Sequence, residues 1–128
     1  MKKISVILYG KEADCGAALD TIKDCKLISN YHSEYYIAHT REELEITAVE
    51  EQPTLAVVLA DGAKGMEGVY FLRNLLPNLA IFWFSDDCGF SLYSHMMNCS
   101  YFSIKPITKE KIETAFKRCV HIGRDFYR

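Results

Sequence analysis

With 128 residues, 49% of them apolar, the chain is one domain of ordinary size with material for a core, and it is not a disordered segment. A net charge of −2 with no basic block argues against direct nucleic-acid binding, and no apolar run approaches the ~20 residues that a membrane span requires. Five dispersed cysteines, Cys15, Cys25, Cys88, Cys99 and Cys119, contain no CxxC pair, so they read as reduced thiols filling small core positions in a cytoplasmic protein.

Met1-Lys2-Lys3 leads into a strand and not into a signal peptide. Ile4 to Tyr9 is a β-rich run ended by Gly10, the first predicted strand. Ala13 to about Cys25 carries Ala18, Leu19 and Ile22 at helical spacing. Tyr35 to Ala38 is a short second strand. Thr40-Arg41-Glu42-Glu43 is a capping box that starts a helix stopped by Pro53. The unbroken apolar run Leu55 to Leu59 predicts a strand buried on both faces, as in a parallel sheet. A loop through Lys64 then feeds a helix from Gly68 to about Leu76, ended by Pro77. Ala80 to Phe84 is a further fully apolar strand, Phe90 to Met97 a short helix, and Tyr101 to Ile104 the fifth strand. Thr108 is placed to cap a last helix whose Ile112, Ala115, Phe116, Cys119 and Val120 form one apolar face.

Strands alternate with helices five times. The expected fold is therefore a flavodoxin-like three-layer α/β/α sandwich with a parallel sheet in the order 2-1-3-4-5. It occupies residues 1–122, and 123–128 form a helix end or the start of a linker. In such a sheet, ligands sit at the carboxyl ends of the strands, which directs attention to Ala60, Asp61 and the loop to Lys64.

Three features in this order resemble the receiver domain of bacterial two-component response regulators. They are Gly65-Met66-Glu67-Gly68 after the third strand, Ser85 at the end of the fourth, and Lys105-Pro106 after the fifth, three residues beyond Phe102. Ala115-Phe116-Lys117-Arg118-Cys119 is similar to the last helix of receivers attached to LytTR-type DNA-binding domains. The resemblance implies phosphoryl transfer from a histidine kinase to an aspartate at the end of the third strand. Mg²⁺ is then held by acids after the first strand, and Ser85, Phe102 and Lys105 stand at the switch positions.

The sequence departs from that pattern at two places. The acid pair falls near Tyr9 and Gly10, neither of which offers a carboxylate. Counting back from Gly68 puts the acceptor at Ala60, and counting forward from Pro53 puts it at Leu59; Asp61 lies one or two places late. The expectation is a degenerate receiver that signals through protein contacts without phosphorylation and without cofactor or metal. Mg²⁺ enters only if Glu12, Asp14 or Asp61 rebuilds the acid pocket, and Lys105 is expected to pair with Asp61 or Asp86.

Alternatives are a working receiver phosphorylated on Asp61 and a flavodoxin-like cofactor-binding enzyme. The enzyme reading lacks a phosphate loop, a Gly-x-Gly-x-x-Gly fingerprint and a Gly-x-Ser-x-Gly nucleophile elbow. The four histidines, His32, His39, His95 and His121, have no paired metal spacing. The partner is expected to be an attached output domain or a second copy. The face made by the fourth helix, fifth strand and fifth helix is expected to bind it, with some of Phe90, Tyr93, Met96 and Met97 exposed.

Overall fold

The computed structural model describes residues 2–121, so the expectation for 123–128 lies outside the described residues. Five strands, β1 (Lys2–Tyr9), β2 (Tyr31–Ala38), β3 (Leu55–Val58), β4 (Ala80–Ser85) and β5 (Tyr101–Ile104), form one sheet in the order β2-β1-β3-β4-β5. Every pairing is parallel. The helices are α1 (Glu12–Lys23), α2 (Arg41–Glu51), α3 (Gly62–Leu75), α4 (Ser91–Met96) and α5 (Lys109–His121). This is the expected flavodoxin-like topology. Among the described residues, no helix is long and apolar enough to cross a membrane.

The alternation of side chains along the strands divides the core in two. Ile4, Val6 and Leu8 of β1 and Phe82 and Phe84 of β4 point to one face, where they meet Cys15, Ala18 and Ile22 of α1 and Ile112, Ala115 and Phe116 of α5. Ile7, Tyr9, Ala56, Val58 and Trp83 point to the other, against Leu44 and Ala48 of α2 and Val69 and Leu72 of α3. β3 and β4 are buried along their whole length, which is why they read as unbroken apolar runs.

Several boundaries differ from expectation. β2 is twice as long as Tyr35–Ala38, because it pairs with all of β1 at the sheet edge. His32, Ser33 and Glu34 carry no apolar signal there, since an edge strand leaves side chains partly in water. α3 starts at Gly62 and not at Gly68, so there is no loop to Lys64. Its glycines suggested a break; instead Gly68 is a close-packing position, where an added Cβ would lie 2.7 Å from Tyr9 Cε2. The fourth helix is shorter than Phe90–Met97, because Cys88–Phe90 is a 3₁₀ turn before it. Cys15, Cys25 and Cys119 are buried as expected, but Cys88 is exposed and Cys99 half-buried.

The caps follow the sequence closely. Thr40 Oγ1 accepts the Glu43 amide at 3.1 Å, and Glu43 reaches back to the amide of His39 at 3.0 Å, one residue beyond the cap. Thr108 Oγ1 accepts the Lys111 amide at 3.2 Å.

One tie between elements has no signature in the sequence. Arg73 of α3 donates to the carbonyls of Pro77 at 2.9 Å and Leu79 at 2.7 Å, just beyond its own helix. It also reaches Met97 O at 2.9 Å and Asn98 O at 3.2 Å, at the end of α4. Helix ends leave orphan carbonyls, and a forked cation satisfies two ends at once. Arg73→Ala is expected to lower unfolding free energy by about 2–4 kcal/mol in urea titration, with Arg73→Lys recovering less than half, because a single ammonium cannot span the fork. An unchanged midpoint in Arg73→Ala would show that the clamp contributes nothing.

Candidate functional site

The site lies at the carboxyl ends of β1, β3 and β5. Lys105 follows β5 directly, and its peptide bond to Pro106 is cis. The aliphatic stem is half-buried, and Nζ reaches three oxygens: Asp14 Oδ2 at 2.8 Å, Leu59 O at 2.7 Å and Asp61 Oδ1 at 2.7 Å. An ammonium has three donors, so all are engaged. Asp14 stands in the first turn of α1 and Asp61 at the N-cap position of α3. Lys11 Nζ approaches Asp61 Oδ2 at 3.6 Å from the solvent side. Of the two expected partners of Lys105, Asp61 is present and Asp86 is not; Asp14 takes the other place.

These contacts set the protonation states. The hydrogen bond from Lys105 holds the Asp61 carboxyl below its usual value, against an opposing effect of burial. Burial works against the Lys105 ammonium, but the hydrogen bonds it donates to Asp14 and Asp61 outweigh it and raise the pKa. Beneath them, burial, reinforced by Asp14, pushes the Cys15 thiol up to about 11, so it stays protonated and inert.

The remaining sequence-predicted residues are disposed as follows. Tyr9 turns its ring to the α2–α3 side and rests over Gly68, so it offers no ligand atom beside Lys105. Gly10 is hemmed in by β3: a Cβ there would lie 2.9 Å from Leu59 Cβ and 3.0 Å from the Leu59 carbonyl carbon. Leu59 is fully buried and Ala60 nearly so. Ser85 is fully buried and turned into its own loop, where Oγ accepts the Asp87 amide at 3.2 Å and donates to Asp86 Oδ1 at 3.4 Å. Asp86 in turn accepts the Gly62 amide at 3.1 Å, tying the β4 loop to the start of α3. Phe102 is half-buried, edge-on to Trp83 with ring centres 5.4 Å apart. Glu12 is exposed and makes no contact with Lys105. Among the described residues, no three His, Cys, Asp or Glu side chains gather to hold a metal ion.

Sequence reasoning missed Asp14 as a partner of Lys105, because its position in the first turn of α1 explained it as a helix-dipole charge. It also missed a cleft of about 320 Å³ beside the ion pair. It is lined by the buried Tyr9, Gly10 and Ala60, by the half-buried Asp61 and by the exposed Lys11, His39 and Lys64. His39 Nδ1 lies 2.9 Å from Gly10 O.

A carboxylate with a lowered pKa stabilises the fold above its unfolded pKa and loses that contribution as pH falls through the folded one. Wild type is therefore expected to exceed Asp61→Asn in urea midpoint near neutral pH, with the difference closing as pH drops below about 4. The raised Lys105 has the opposite sign: its contribution is present below about pH 10 and is lost as pH rises through the folded value. A constant difference between wild type and Asp61→Asn down to about pH 2 would show that the Lys105–Asp61 bond does not stabilise the fold.

No family model matches this sequence, and no curated protein matches it. Solved structures do. A response regulator from Thermotoga maritima superposes with TM-score 0.73 at 14% identity, over 93% of this chain and 98% of that one. The non-phosphorylated HemR receiver domain from Leptospira biflexa gives 0.70 at 18% identity, over 98% and 100%. A CheY-like response regulator receiver domain protein from Methanospirillum hungatei gives 0.69 at 19% identity, over 94% and 95%. At these identities the likeness is one of fold, and the fold is that of response-regulator receiver domains.

Proposed function

We propose that this chain is a receiver-type signalling module of a two-component system, not an enzyme, that works through protein contacts and without phosphorylation. The observation that carries the reading is the saturation of Lys105. In the resembling family this lysine answers the incoming phosphoryl group; here its three donors are spent on Asp14, Leu59 and Asp61. Positions 9 and 10 support it, since one side chain is aromatic and turned away and the other position is sterically closed. Ser85, spent on its own turn, points the same way.

One observation favours the second reading, a receiver phosphorylated on Asp61. That carboxylate lies 2.7 Å from Lys105, ionised and at the edge of an open cleft. Incubation with acetyl phosphate and Mg²⁺ is expected to leave the intact mass unchanged. A stable adduct of about +80 Da, absent from Asp61→Asn, would establish the second reading instead.

The interaction face is made by α4 and the outer edge of β5. Leu92 is 66% exposed, Met96 61% and Tyr93 37%, and Ile104 adds a further exposed apolar side chain. Phe90 and Met97 are half-buried, packed against the cluster around Trp83, and so contribute less to the face than Leu92, Tyr93 and Met96. Arg73 holds the end of α4 from beneath, so the exposed side is presented without a switch. The partner on this reading is a second copy of the chain, or an output domain of a cytoplasmic transcription regulator. In the stretch Ala115-Phe116-Lys117-Arg118-Cys119, which is similar to LytTR-attached receivers, Lys117 and Arg118 are exposed and Ala115, Phe116 and Cys119 are buried. Light scattering over a concentration series is expected to show self-association that is lost in Leu92→Asp combined with Met96→Asp. A wild type that stays monomeric throughout would remove the dimer.

A further inference from the structure

Beyond α4, the two most exposed large apolar side chains among the described residues are Val49, at 55%, and Ile46, at 51%, both on α2. Leu44 and Ala48 of the same helix turn toward the sheet and are fully buried. At about 3.6 residues per turn, Glu42, Ile46, Val49 and Glu50 then lie on the opposite side. Ile46 and Val49 form one apolar patch there, with a glutamate one turn to either side of Ile46. Neither the core nor helix formation accounts for this pair. Each keeps more than half of its surface in water, and β-branched side chains are poorer helix formers than the Ala, Glu or Lys that suits an exposed position.

The patch sits in a field of one sign. α2 carries five glutamates against Arg41 alone, a charge of −4 in a chain whose net charge is −2. Its last turn holds Glu50 and Glu51 and no base, where the helix dipole already presents its negative end, so these acids deepen the field. Nearby cations do not cancel it. Arg41 lies 3.6 Å from Glu45 and 5.1 Å from the centre of the Phe71 ring, toward α3. Of the elements packed against α2, β1 brings Lys3, which pairs with Glu34 of β2, and β2 holds no lysine or arginine. α3 brings Lys64, with Glu67 three residues on, and Arg73, which is bonded to carbonyls beyond its own helix. The amide of His39 bonds Glu43 but leaves that carboxylate its charge.

We propose that the outward face of α2 docks a basic amphipathic helix of a protein partner. Apolar side chains of that helix cover Ile46 and Val49, and its lysines or arginines meet Glu42, Glu43 and Glu50. An apolar pair flanked by acids is complementary to the same pattern with the opposite sign. A bare polycation would leave the pair uncovered, and an acidic helix would set like charges against one another. Apolar contact supplies affinity, and the acids supply orientation and on-rate. Two apolar side chains make a small footprint, which suits a weak and reversible signalling contact. Because α2 packs on α3, β1 and β2 while α4 packs on β5, this surface is separate from the α4 face and does not depend on it.

Amide NMR spectra of the isotope-labelled full chain test it, titrated with an end-blocked peptide of leucine and lysine about 14 residues long, its leucines at helical spacing. Saturable shifts confined to residues 42–51 and their neighbours on α3 are expected, with a Kd on the order of 100 µM at low salt. Ile46→Ser with Val49→Ser, and separately Glu42→Gln with Glu50→Gln, are each expected to weaken binding at least about fivefold while the remaining amides keep their folded dispersion. Shifts that are absent up to about 2 mM peptide, or that centre on α4 or elsewhere, overturn the proposal. So does undiminished binding by either double variant. Equal binding by a lysine peptide of the same charge without leucine, or by the peptide with glutamate in place of lysine, overturns it as well. Intact mass after treatment with acetyl phosphate bears on none of these outcomes, so this contact and the phosphorylation-free reading fail separately.

Discussion

A single ammonium group joins the parts of this molecule that chain order keeps apart. Lys105 draws the start of α1, the end of β3 and the N-cap of α3 onto the tip of β5 through three bonds of 2.7–2.8 Å. In the partly dry space between the loops each of these bonds is stronger than its surface counterpart, and losing any one partner leaves a charge short of compensation. The loops at the carboxyl edge are therefore held by electrostatics, while the opposite edge is held by the Arg73 fork. Between the two lies a sheet with two strands buried end to end.

The fold was almost fully legible in the sequence. Buried parallel strands need apolar side chains on both faces, and Leu55–Leu59 and Ala80–Phe84 carried that signal without ambiguity. Thr40 and Thr108 marked helix starts because a hydroxyl at an N-cap has a defined amide to meet. What escaped were features whose cause lies in tertiary contact. Gly68 looked like a helix start when it is a seat for the Tyr9 ring, and the polar half of β2 depends on a neighbour that no local pattern announces.

Of the pairings of Lys105, the one with Asp61 was expected from the sequence and the one with Asp14 was not. Ser85, Phe102 and Lys105 were singled out by resemblance to receiver domains and Asp61 by its place after the third strand, yet neither says which carboxylates meet the lysine. That choice is made by the turn between β1 and α1, which brings Asp14 across 91 positions of sequence to Lys105. The contact of His39 was similarly hidden: a lone histidine after the second strand gives no local sign that its ring meets the Gly10 carbonyl.

The packing around Tyr9 and Gly10 has an evolutionary consequence. A carboxylate pair at these two positions is not reachable by independent steps from this sequence. An aspartate at position 10 would drive its Cβ into Leu59, and one at position 9 would empty the space above Gly68 that the tyrosine ring fills. The second change alone removes a buried aromatic, a loss on the order of 3–5 kcal/mol and a large share of the stability of a domain this size. Each step is thus destabilising before the other can accompany it, so the packing around Tyr9 and Gly10 holds both positions against acidic replacement.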